Sequence, residues 1–164
     1  MRMRSIITVI LAGAAVLAAP ALGSIRGSAE ATAGEYAVVV NKKNGYEPSD
    51  KEQTRNLIKA LFLKKRKDWP SGETAKPFAY REGTPEAVAF QKQVLKMSDA
   101  ELSKHWLSLK QTTGDTPPRE LPSASLALKF IDKFEGAFSV MSKEDAEANK
   151  DSVKMIYEFE HTAG

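Results

Sequence analysis

The chain has 164 residues, of which 42% are hydrophobic and 27% charged, a balance that fits a folded globular protein and excludes collagen-like or disordered classes. It has no cysteine, hence neither disulfides nor thiol chemistry, and His105 and His161 lie far apart with no flanking ligand pattern, which argues against a histidine-based metal site. Lysine and arginine number 24 against 21 acids, and removing Arg2 and Arg4 with the amino-terminal leader leaves a net charge near +1, too weak a field for a nucleic-acid binder.

Residues 1–23 combine a basic start (Arg2, Arg4), an apolar run over residues 6–22 and small residues suited to signal-peptidase cleavage after Ala21 or Gly23, with a later site after Ala31 as the alternative. A cleavable signal peptide is expected, and with it a periplasmic or secreted location. The competing reading is an uncleaved anchor, which Gly13, Pro20 and the many alanines disfavour. Residues 24–34 are small and polar, the composition of a flexible leader, and the remaining residues 35–164 are read as one domain.

Residues 36–40, Tyr-Ala-Val-Val-Val, form a β-branched run closed by a turn-prone stretch and are read as a central strand buried on both faces. Asn41 follows at its carboxyl end, the side on which open α/β sheets bind ligands, although a solvated turn explains residues 41–44 as well. Ser49-Asp-Lys-Glu52 reads as a capping box opening a helix with Leu57, Ile58, Leu61 and Phe62 inward; the cations of residues 64–67 complement its carbonyl end. After the turn Trp69-Pro-Ser-Gly72, residues 76–80 are a second strand. Gly83-Thr84-Pro85-Glu86 then places a cap, a first-turn proline and an acid at the start of a helix reaching about Lys96, with Ala87, Val88, Phe90, Gln91, Val94 and Leu95 inward. Ser98-Asp-Ala-Glu101 is a capping box for a third helix with Leu102, Trp106 and Leu109 inward and His105 on its surface, and residues 111–122 read as a loop. Residues 125–134 form a helix, 136–140 a strand, 142–149 a short polar helix and 153–159 a last strand. This alternation implies an α/β fold with a mainly parallel sheet flanked by helices.

The junction at Arg81-Glu-Gly-Thr84-Pro-Glu86 has the chemistry of an oxyanion cradle. The amides of Thr84, Glu86 and Ala87 and the positive end of the helix dipole favour an anion, Gly83 permits a tight turn, the Thr84 hydroxyl can donate, and the Arg81 guanidinium adds charge-assisted bonds. A plain turn with a helix cap explains the same residues, and Glu82 and Glu86 bring negative charge. Trp69 and Trp106 are read as packed aromatics. No catalytic triad, nucleophile elbow, phosphate loop or fixed carboxylate pair is present, so an enzyme is not expected, and no cofactor is implied.

Several landmarks recur in an order that resembles a known group. These are Phe62-Leu63, Lys65, Trp69 and Gly72, then Arg81, Gly83 and Thr84, then the Thr-Gly-x-x-Pro-Pro-x-Glu loop of residues 113–120 and Gly136-Ala-Phe138. Together, over residues 36–140, they resemble the short exported proteins related to the phosphate-binding subunit of ABC transporters, a periplasmic binding protein-like group. The resemblance implies a single lobe of a type II periplasmic binding fold. It also implies that the arginine and Ser-Gly-Thr helix start of the full-length phosphate binders map onto Arg81, Gly83 and Thr84, with Glu82 in place of the serine. The implied ligand is inorganic phosphate or a related oxyanion, bound for or alongside an ABC transporter membrane component. The alternative is a lobe that binds no small ligand and serves as an interaction module for another envelope protein.

Overall fold

Val38, Val39 and Val40 are fully buried, and they sit in the strand that organises the sheet. In this computed structural model, which describes residues 33–162, that strand is β1, Gly34–Asn41. The expected signal peptide and nearly all of the leader lie outside the described residues. The other strands are β2 (Lys76–Tyr80), β3 (Arg119–Leu121), β4 (Ala137–Ser142) and β5 (Val153–His161). The helices are α1 (Lys51–Phe62), α2 (Pro85–Phe90), α3 (Asp99–Thr113), α4 (Ala124–Lys133) and α5 (Lys143–Ala148).

The sheet runs β3-β2-β4-β1-β5. β2 pairs in parallel with β3 and β4, whereas β1 pairs antiparallel with both β4 and β5. Four strands therefore point one way, and β1 alone is reversed between β4 and β5. The mainly parallel sheet and the central position of residues 36–40 hold. The reversal of β1 is the feature that a uniformly buried strand does not announce, because apolar content on both faces is the same in either direction.

Local signals set most boundaries, with informative exceptions. The cap of α1 is Asp50, whose carboxylate accepts from the Gln53 amide at 2.8 Å, so the helix begins one residue later than a Ser49 cap requires. α2 starts as expected but passes after Phe90 into a π-helical turn, Gln91–Leu95, ended by Lys96 in the left-handed region. Ala89 and Phe90 of α2 and Val94 and Leu95 of the wider turn are buried, and Val88 only partly so. The expected loop over residues 111–122 contains the last turn of α3 and the three-residue strand β3, hidden from sequence reading by its length and by Pro117, Pro118 and Pro122 around it.

Aromatic side chains join the layers. Trp69 is fully buried, donates from Nε1 to the Gly136 carbonyl at 3.0 Å, and packs on Tyr46 and Phe138 with ring centroids 5.4 and 5.3 Å apart. Phe130 stacks on Phe78 to seat α4 against β2, and Phe62 of α1 meets Phe90 of α2 and Trp106 of α3. Each buried ring of this size contributes about 2–3 kcal/mol of apolar burial. No helix among the described residues is long and apolar enough to cross a membrane.

Candidate anion site

Because β2, β3 and β4 are parallel, their carboxyl ends share one edge of the sheet, and α2, α4 and α5 all begin there. Their caps are Thr84, Ser123 and Ser142, whose hydroxyl oxygens accept from the amides of Ala87, Leu126 and Asp145. Three helix starts thus turn their positive ends toward the edge at which open α/β sheets hold ligands. Arg81, Gly83, Thr84, Glu86 and Ala87 lie together at the first of these starts.

Gly83 turns the chain with φ of +82°, a conformation that a side chain would strain. Thr84 then folds back on Arg81: its amide and its hydroxyl both donate to the Arg81 carbonyl, at 3.2 and 3.0 Å. The same hydroxyl oxygen accepts from the Ala87 amide at 3.3 Å. Two of the three amides expected to be open to a guest are therefore occupied within the turn, and so is the hydroxyl. The Glu86 amide is the remaining donor of the three. Arg81 is exposed, and its guanidinium takes part in none of the ion pairs among the described residues.

Two buried phenols report the local field. Burial pushes the Tyr80 hydroxyl well above the usual phenol range, and the carboxylates of Glu86 and Asp145 push it further. Tyr36 is raised by the same two causes, burial first and then Glu86. Both therefore stay protonated at neutral pH, and Glu86 adds negative charge to the edge that an anion would approach. The Tyr80 hydroxyl is buried with no hydrogen-bond partner among the described residues.

Asn41 does not join this group. The reversal of β1 carries its carboxyl end to the opposite edge of the sheet, where Asn41 faces Val153 at the start of β5. Its side chain is buried and donates to the carbonyls of Ile131 and Asp132 at 2.7 and 3.0 Å, closing the end of α4, while its Oδ1 accepts from the Lys43 amide. Asn41 is a clasp on the end of α4, and strand direction places it at the edge opposite the α2 opening. His105 is likewise half-buried, with Nε2 2.9 Å from the Leu63 carbonyl, and not a free surface side chain.

A cavity of about 200 Å³ lies beside this edge, between the sheet and the helices α1, α2 and α3. Phe62, Phe90, Trp106 and Phe138 wall it, and Glu82 and Ala87 connect it with the α2 opening. Sequence reading missed it, since rings spread over four elements and the Pro117-Pro118 loop converge only in space. The only sequence trace is that Phe90 and Trp106 fall on the inward stripes of adjacent helices.

No family model matches the sequence, and no curated protein does. Solved structures match in shape. One is an ABC-type phosphate transport receptor from Vibrio cholerae, with a TM-score of 0.57 and 14% identity over 77% of this chain and 47% of that one. The chain has the fold of a periplasmic binding protein lobe. A second such structure, from Clostridium perfringens and described as a phosphate ABC transporter substrate-binding protein with bound phosphate, gives 0.56 and 18% over 77% of this lobe and 46% of that chain. A third, a candidate phosphate-binding protein from Planctomyces limnophilus DSM 3776, gives 0.50 and 12% over 77% and 42%. The lobe thus spans less than half the length of each of these structures, and at such identities the likeness is one of fold.

Proposed function

We propose that the chain is an exported solute-binding lobe whose guest is phosphate or a related oxyanion, working for or alongside an ABC transporter membrane component. The guest is held at the opening of α2 by the Arg81 guanidinium and the Glu86 amide, with the Gly83 turn giving backbone access. The observation that supports this reading most is the Arg81 guanidinium, exposed and outside every ion pair among the described residues, at a sheet edge where three helices present their positive ends. Thr84 joins only by giving up its bond to the Arg81 carbonyl, and Glu82 and Glu86 oppose the charge of the guest. With the anion contacted from one side by the α2 opening, the expected dissociation constant is on the order of 1 mM.

Titration of isotope-labelled protein with phosphate and sulfate, followed by amide chemical shifts, tests this directly. Saturable shifts centred on residues 83–87 are expected, and Arg81→Ala is expected to weaken binding about tenfold, the loss of one charge-assisted contact at a solvated site. Absence of any saturable shift at about 10 mM phosphate overturns the reading. That result favours the second reading, an envelope interaction module without a small ligand, which the occupied Thr84 hydroxyl and Ala87 amide already suit.

A further inference from the structure

The cavity between the sheet and the helices has chemistry unlike that of the Arg81 turn. Its walls are mainly apolar, and the aromatic pairs Phe62–Phe90 and Phe62–Trp106, with centroids 4.9 and 6.4 Å apart, belong to them. A volume of about 200 Å³ is far more than the roughly 10–15 Å³ that one water needs, and larger than the roughly 150 Å³ apolar cavity known to hold a benzene ring. Among the described residues, the charged ones that line it are Glu82, Asp99 and Glu120, and no lysine, arginine or histidine does. All three acids are exposed residues at the solvent side of the lining, and none of them enters an ion pair among the described residues. Asp99 is tied in place by the Gln91 amide group at 2.6 Å. Tyr80, only 6% exposed and with its hydroxyl unpartnered, also lines the cavity.

We propose that this cavity is a second ligand site, for a small organic cation: a single ring seated among Phe62, Phe90, Trp106 and Phe138, with a short chain carrying an ammonium group to Glu82, Asp99 and Glu120. An oxyanion is excluded from it by three negative charges and no cationic partner. A neutral hydrocarbon satisfies the walls but leaves the charged mouth without a counterpart. A cation does both, and beside an indole it gains the attraction of the ring face as well. The site uses neither the Arg81 guanidinium nor the Glu86 amide, so it stands apart from the oxyanion reading.

The test uses three probes of one shape, 2-phenylethylamine, 2-phenylethanol and 3-phenylpropionate, titrated separately into isotope-labelled protein. The amine is expected to give saturable shifts at the Trp106 indole and at residues 90–95, to bind at least about fivefold more tightly than the alcohol and to exceed the acid by more, since two like charges at this spacing repel. Raising the salt concentration is expected to bring the amine toward the alcohol, and Glu82→Gln combined with Glu120→Gln to do the same in a protein whose melting temperature is unchanged. Phosphate is expected to leave the Trp106 indole unmoved, which keeps the failure of either site distinguishable from the other. The proposal is overturned if the amine gives no saturable shift at about 10 mM, if amine and acid bind alike, or if neither salt nor the double substitution weakens the amine.

Discussion

Gly136 is where three segments of the chain meet on one backbone carbonyl. That oxygen accepts from the Lys76 amide at 2.9 Å and from the Trp69 indole at 3.0 Å, and a Cβ at this position would collide with the Thr74 carbonyl oxygen. Thr74 cannot retreat cheaply, because it is bridged to Asp68 and its neighbour Ala75 donates to the Lys67 carbonyl at 2.8 Å. Gly136→Ala is therefore expected to destabilise the protein by about 3 kcal/mol, the cost of overpacking against fixed backbone, read as a lower urea midpoint. Asn41 poses the converse case, a buried polar side chain whose bonds run within the fold. Asn41→Ala leaves the carbonyls of Ile131 and Asp132 without their donor, at an expected cost of about 2 kcal/mol. Its phosphate titration is expected to match that of the unmodified chain; loss of phosphate binding in a folded Asn41→Ala protein would return this residue to the ligand.

α3 is held differently from the other long helices. It has no fully buried residue, Leu102, Trp106 and Leu109 are half-buried, and Leu107 is 59% exposed. Its start depends on a reciprocal capping box, in which the Ser98 hydroxyl accepts from the Glu101 amide while the Glu101 carboxylate accepts from the Ser98 amide at 2.8 Å. Ser98→Ala is expected to remove about 1 kcal/mol of local stability, seen as faster hydrogen exchange across α3 with β1 exchange changed much less. The box is also pH-sensitive. Bonds from the Ser98 amide and then the Ser98 hydroxyl hold the Glu101 carboxyl below its ordinary value of 4.5. A depressed carboxylate stabilises fully above the unfolded value and loses that contribution as pH falls through the folded one. The Ser98 amide resonance is therefore expected to titrate with a midpoint below 4.5, and a midpoint at or above it would mean that the box is open in solution.

In the whole molecule, the first and last strands of the described residues close on each other. β1 is paired with β5 from Gly34↔His161 to Asn41↔Val153, so the strand at the centre of the core is completed by the end of the chain. The buried Ile156, Phe159 and His161 reside on β5, and Phe159 stacks on Tyr36 with centroids 5.8 Å apart. Truncation after Ser152 exposes a long apolar edge on β1 and is expected to abolish cooperative unfolding, with urea titration followed by tryptophan fluorescence showing no sigmoidal transition. A cooperative transition in the truncated chain would show that β5 is an accessory strand.

The sequence by itself determined the elements and where most of them begin. The Thr84-Pro85 start, the Ser98 capping box, the valine run of β1 and the strand at residues 76–80 were legible because caps and apolar periodicity are contests among groups within four residues of one another. The α/β class and the grouping of Arg81, Gly83 and Thr84 followed from that local order. What only the tertiary structure decided is the reversal of β1, the removal of Asn41 to the far edge, the occupation of the Thr84 hydroxyl and Ala87 amide, and the walled cavity. Strand direction rests on pairing between residues such as Tyr36 and Ser142, and the cavity on rings from four separate elements. Such arrangements minimise free energy over the whole chain, so no short window of sequence carries them.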